Sequence, residues 1–230
     1  MALFVISDLH LSLGTNKAMD CFTGWENYVA KLNEYWQDRV APDDTVVLPG
    51  DFSWSMTLQE AFPDFTFVEK LNGTKILLKG NHDYWWNSIQ KINNFWEENG
   101  LHSFRLIQNT AFMYGSTALC GTRGWFFENM ENYSEKIAAR EVLRLEFSLK
   151  DAIKQNAEKI IVFLHFPPVF GSNACDDLID LMRGYGVRNC YYGHLHGNSA
   201  KAAFIGEYKG INLMPTSADR LHFTPLEITL

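Results

Sequence analysis

What most restricts this chain is one pairing that recurs along it: a short apolar run, then at once a carboxylate, an amide or an imidazole. Leu3 to Ile6 leads into Ser7-Asp8-Leu9-His10. Thr45 to Leu48 leads into Pro49-Gly50-Asp51, and Lys75 to Lys79 into Gly80-Asn81-His82-Asp83. Ile160 to Leu164 ends in His165, and Asn189 to Tyr192 in Gly193-His194-Leu195-His196. Short apolar runs without polar alternation read as strands covered on both faces. Strands that alternate with helices predict an α/β fold with a largely parallel sheet. The carboxyl ends of such strands share one edge, and open α/β folds bind ligands there. Polar groups far apart in sequence would then meet at one site.

The stretches between the runs supply the helices. Trp25, Tyr28, Val29, Leu32 and Trp36 fall at helical spacing. A helix over 57–71 contains Pro63, which predicts two short pieces. A helix over 84–98 would start at Asp83, turn Ile89, Ile92, Phe95 and Trp96 inward, and stop at Gly100. Strands are expected at 104–107, 111–114 and 116–121. A long helix within 128–157 has an apolar side of Ala138, Val142, Leu145, Leu149 and Ile153. Its charged side, with Glu135, Arg140, Glu141, Arg144, Glu146 and Lys150, reads as solvated. A helix is expected over 176–183. Strands at 202–205, 211–213 and 226–230 would close a second sheet in antiparallel fashion. No linker or repeat interrupts the chain, so residues 1–230 are expected to form a single domain.

Composition narrows the partners. The chain is 47% apolar and 14% aromatic, enough for a large core. Its formal net charge of −7 argues against nucleic acid as a partner, since nucleic-acid tracks favour basic stripes. An anionic small substrate stays open, because bound cations reverse a local field. No run is long enough for a signal segment or a membrane span, so a cytoplasmic protein without a membrane partner is expected. Cys21, Cys120, Cys175 and Cys190 are scattered and read as free thiols. No protein partner is indicated.

Asp8 and His10 stand two apart, so in extended backbone they point the same way. They read as a metal pair or as a polar strand exit. Gly80 permits a tight turn, Asn81 offers a neutral oxygen, and His82 titrates near neutral pH. Five of the seven histidines belong to these blocks; His102 and His222 read as structural. Carboxylate, imidazole and amide without thiolate suit Mn, Fe, Co, Ni or Zn. There are more ligands than one ion needs, and a bridging carboxylate can hold two ions about 3.5–4 Å apart, a clamp for a phosphoryl group.

The ordered blocks D-x-H, G-D, G-N-H-D, H and G-H-x-H resemble those of the calcineurin-like metallophosphoesterase family, over residues 8–196. The resemblance implies two mixed β-sheets packed as a sandwich flanked by helices, a four-layer fold. It implies one metal ion held by Asp8, His10, Asp51 and His196, and a second held by Asp51, Asn81, His165 and His194, with Asp51 bridging. His82 would face the phosphate and stabilise or protonate the leaving oxygen, and Asp83 would orient His82. A metal-bridging hydroxide would attack in line, hydrolysing a small phosphomonoester, phosphodiester or nucleotide without a covalent phospho-enzyme. Phe52-Ser53-Trp54 follows the G-D block where the protein Ser/Thr phosphatases of the family carry an acidic-basic pair, so phosphoproteins are not the expected substrate. Specificity would lie at 84–86 and 122–127. Arg123 could fork onto a phosphate or stack on Trp125. Trp54 could wall the cleft, with Trp125, or pack under the next helix. A non-catalytic scaffold and a nuclease are the competing functions.

Overall fold

The computed structural model describes residues 1–17, 19–124 and 134–230. Strands β1 (Leu3–Val5), β2 (Thr45–Pro49), β3 (Thr74–Leu78) and β4 (Phe104–Leu106) run parallel in one sheet, with β13 (Leu226–Ile228) antiparallel on β1. In the second sheet β6 (Thr117–Thr122), β7 (Lys159–Leu164), β10 (Asn189–Tyr192) and β12 (Ile211–Pro215) are parallel. Antiparallel strands β5 (Phe112–Tyr114) and β11 (Gly206–Tyr208) form its edges. A small hairpin pairs β8 (Val169–Phe170) with β9 (Asn173–Ala174).

The two-residue period of a strand sorts each run between two cores. Leu3, Val5, Val47, Ile76 and Leu78 face Leu119, Ile161 and Phe163 between the sheets. Their neighbours Phe4, Val46 and Leu77 pack outward on α1 (Tyr28–Arg39), α2 (Leu58–Glu69) and α3 (Ile89–Glu98). Val162 and Leu164 pack outward with residues of α4 (Glu135–Lys154) and α5 (Asp176–Gly184). Two mixed sheets flanked by helices therefore form the four expected layers. No helix among the described residues is long and apolar enough to cross a membrane, and Cys120, Cys175 and Cys190 are free thiols.

Several elements depart from the sequence expectation. α2 runs unbroken through Pro63. Proline costs the helix one hydrogen bond, while Ala61, Phe65 and Val68 on either side are fully buried and hold the helix down. α3 begins only at Ile89, with the Ser88 hydroxyl accepting from Lys91 N–H, so Asp83 is not its cap. Ile89, the first helical residue, is exposed. On α4 the buried stripe is Ala138, Glu141, Leu145, Ser148, Leu149 and Ala152, while Ile153 is exposed. Glu141 was expected in solvent and is buried because β6 supplies its partner: Thr122 Oγ1 donates to its Oε2 at 2.7 Å. Ser148 likewise accepts from Gly121 N–H. Residues 128–133 of that expected helix lie outside the described residues.

The C-terminal third differs most. Residues 202–205 are not a strand, β12 is parallel to β10, and β13 joins the first sheet. The chain crosses between sheets because Ser7 N–H donates to Thr216 O and Ala218 N–H to Ser7 O. A backbone that pairs with Ser7 is led onto the free side of β1.

Candidate metal centre

The polar blocks converge, and backbone geometry converges with them. Asp8, His10, Asp51 and His194 have φ of 57°, 45°, 52° and 71°. Non-glycine residues rarely occupy this left-handed region, and such strain concentrates at functional sites. Asp8 and His10 are therefore not held in the extended backbone that their spacing suggested; each turns sharply off the strand end. The loops also touch. A Cβ on Gly80 would lie 2.1 Å from Asp51 Oδ1, and one on Gly193 would lie 2.7 Å from Asp8 Oδ2. Only glycine lets the carboxylates approach the neighbouring backbone this closely.

Asp8, His10 and Asp51 form one group of potential ligand atoms within 4.8 Å of one another, and Asp51, His165 and His194 form a second. Asp51 belongs to both. Its Oδ1 accepts from His82 N–H at 2.8 Å. Its Oδ2 has no hydrogen-bond partner and lies 3.6 Å from His10 Nε2 and 3.5 Å from His165 Nε2. Asn81 joins the second group, with Oδ1 2.6 Å from His165 Nε2 and 3.0 Å from His194 Nδ1. His196 stands beside the first, its ring centroid 4.9 Å from that of His10. All seven expected ligands are thus in one place.

These atoms fit a cation. Both ring nitrogens of His10 are buried without a hydrogen-bond partner, as is Asp51 Oδ2. The Pro49 carbonyl, 3.1 Å from His165 Nδ1, can only accept. That fixes the proton on Nδ1 and turns the Nε2 lone pair towards Asn81 Oδ1 and Asp51 Oδ2. Three electron-rich atoms facing one another repel unless a cation lies among them.

Electrostatics points the same way. Burial, then the carboxylates of Asp83 and Asp8, hold Asp51 well above the usual carboxylate range. Burial raises Asp8 to about 6 against the pull of His196. Burial and neighbouring histidines hold His10 and His165 well below the ordinary imidazole value, and His194 at about 4. Neutral imidazoles with free lone pairs are the metal-binding form. A divalent ion would reverse the cost of the buried carboxylates.

Asp83 corrects its expected role. It was expected to orient His82 but makes no bond to it. Its Oδ1 accepts from Phe52 N–H, Ser53 N–H and Trp85 Nε1–H, and its Oδ2 from Asp51 N–H and Gly80 N–H, at 2.7–3.3 Å. Five donors exhaust its lone pairs and rivet the Gly50-Asp51 loop to the Gly80-Asn81 loop. The His82 ring instead packs on Trp54, centroids 4.2 Å apart, with a buried Nδ1 that has no partner. Trp54 also stacks on His10 at 4.7 Å, so it supports both rings. Arg123 reaches Glu141 at 3.8 Å and lies 6.0 Å from the Phe166 ring. Trp125 lies outside the described residues.

The sequence reading missed the anchors behind the ligands. Ser7 Oγ donates to Asp8 Oδ2 at 2.6 Å, and His194 N–H donates to both Asp8 oxygens at 2.9 Å. Tyr28 OH donates to the His10 carbonyl at 3.0 Å. Ser7 and Gly193 adjoin ligands and carried a signal by position. Tyr28 carried none, because its spacing marked it only as core.

A family model described as calcineurin-like phosphoesterase matches residues 1–198. Among solved structures, the chain is similar to a protein of unknown function from Aquifex aeolicus (12% identity, TM-score 0.54, covering 98% of this chain and 95% of that one). It is similar to a phosphopantetheinyl hydrolase from Mycobacterium tuberculosis (14% identity, TM-score 0.53, covering 99% and 95%). It is also similar to a protein from Thermus thermophilus (11% identity, TM-score 0.55, covering 84% and 81%). At these identities the likeness is one of fold. No curated protein matches the chain.

Proposed function

Because the chain belongs to the calcineurin-like phosphoesterase family, with candidate metal ligands gathered where strand ends of both sheets meet, we propose that it hydrolyses small phosphate esters at a centre of two divalent ions bridged by Asp51. The observation that carries this reading is Asp51 Oδ2, buried, unpartnered and about equidistant from His10 and His165. Asp8, His10 and His196 would complete one ion's set, and Asn81, His165 and His194 the other's. The ions would supply Lewis acidity and a water made nucleophilic near neutral pH.

The chain's own residues do the rest. Asp83 and the Asp8 to His194 bonds hold the ligand loops in register, so little reorganisation accompanies binding. Trp54 shields the His10 and His82 rings from water on one side. His82 presents its partly buried ring beside the ligands, and its other nitrogen, Nε2, would serve a phosphate oxygen or a leaving group.

The test is hydrolysis of bis-p-nitrophenyl phosphate and p-nitrophenyl phosphate after dialysis against a chelator. Activity should vanish and return when Mn²⁺, Co²⁺, Ni²⁺, Zn²⁺ or Fe²⁺ is added singly. Metal analysis should give two ions per chain, and Asp51→Asn should take that content towards one and abolish turnover. Activity that persists in metal-free protein would overturn the reading.

A further inference from the structure

Beside the metal centre, between the two sheets, lies a cavity of about 230 Å³. Its walls are the end of β3, the end of β6 and one flank of α4. Lys79, Arg123, Arg140 and Arg144 line it, together with Gln108 and Trp86. In a chain whose acids outnumber its bases by 27 to 20, four cations gather where no carboxylate among the described residues lines the wall. Glu141 lies buried beneath them. It is bound by Thr122 at 2.7 Å and Arg144 at 2.5 Å, with Arg123 at 3.8 Å. One buried carboxylate thus fixes two guanidiniums and leaves the cavity in positive excess. Lys79 and Arg140 have no hydrogen bond or ion pair among the described residues.

Lys79 immediately precedes Gly80-Asn81, so the cavity and the metal centre share one loop. Crowded like charges cost stability unless an anion joins them. The volume is below the roughly 300–1,000 Å³ of pockets that enclose a whole ligand; it suits one charged group of a larger molecule. Guanidiniums match phosphate with paired N–H donors.

Resting on the hydrolase reading above, we propose that this cavity is a second anion subsite, and that the substrate carries a further phosphate beside the one that is cleaved. The scissile phosphate would sit at the metal centre and the other among Lys79, Arg123, Arg140 and Arg144.

The test uses α,ω-alkanediol bisphosphates of three to six carbons and alkyl monophosphates of matching length, titrated calorimetrically into the metal-supplemented protein. At one spacer length the bisphosphate should bind at least about tenfold more tightly, as a charge-assisted contact implies. Arg140→Gln, at an exposed position, should cut that preference about tenfold with an unchanged melting temperature. Equal affinity at every length, or a preference that Arg140→Gln leaves intact, overturns the subsite. Hydrolysis of the same compounds is measured separately. Preference without hydrolysis would sink the hydrolase reading and keep the subsite, whereas hydrolysis without preference would remove the subsite alone.

Discussion

His82 carries a ring whose pKa is pushed down to about 4, by burial first and then by His196 and Lys17. Near neutral pH such an imidazole is uncharged. It can donate a hydrogen bond, but it holds no spare proton to release. His82→Gln keeps an N–H donor, so it should lose about tenfold in kcat on p-nitrophenyl phosphate, whereas His82→Ala should lose the roughly 10²–10⁴ of a missing catalytic group. Both should keep their metal. Equal losses in the two variants would return His82 to the role of proton donor. Asp83 invites the opposite experiment, since it braces loops and touches no reacting group. Asp83→Asn sets an amide NH₂ against backbone N–H donors on one side of its clamp, and should cost about 3 kcal/mol of stability. Urea unfolding in chelator, where bound metal adds nothing, checks this. An unchanged midpoint would show that the clamp is dispensable.

At the scale of elements, α2 is tied to the site by a single buried carboxylate. Asp64 accepts from Leu13 N–H at 2.7 Å and from Ser53 Oγ at 2.5 Å, joining the helix to the loops that follow β1 and β2. Burial raises its pKa from the ordinary 3.8 to about 6, against the hydrogen bonds that lower it. The folded protein therefore binds this proton more tightly than the unfolded chain. The associated stability is complete below pH 3.8 and is lost as pH rises through about 6. Two pKa units set an upper bound of about 3 kcal/mol. Asp64→Asn should flatten the decline between about pH 4 and 6 relative to the natural chain, read from urea midpoints at each pH. A parallel decline in both proteins would count against Asp64. The same element also marks where sequence patterns stop informing. The helix expected over 57–71 covers α2, yet Pro63 suggested a break that the buried Phe65 and Val68 override. On α4 the spacing located the stripe but could not say that Glu141 and Ser148 belong to it. Their burial depends on Thr122 and Gly121, partners from a strand well back along the chain.

For the whole molecule, what was legible followed from local pattern and order. Five apolar runs with polar ends specified their own strands and the strand ends where the polar groups meet, because a strand end fixes where the next residue must sit; the division of those groups into seven ligands came from the family resemblance. Illegible were features made by distant pairing. Nothing near Leu226 says that β13 crosses to the first sheet, and nothing near Asp83 says that three of its donors come from the loop after β2. The basic cavity is of this kind: Lys79, Arg123, Arg140 and Arg144 come from three separate parts of the chain, and of the four only Arg123 was expected at a phosphate, while Arg140 and Arg144 read as solvated and Lys79 as the end of a strand.

The pairing of Ser7 with Thr216 and Ala218, and of Leu3 with Ile228, has a consequence for the order of folding. Ser7 and Thr216 stand 209 residues apart. Contacts of such separation close slowly, so the turn that carries Asp8 and His10 is fixed late, after the strands between have been gathered.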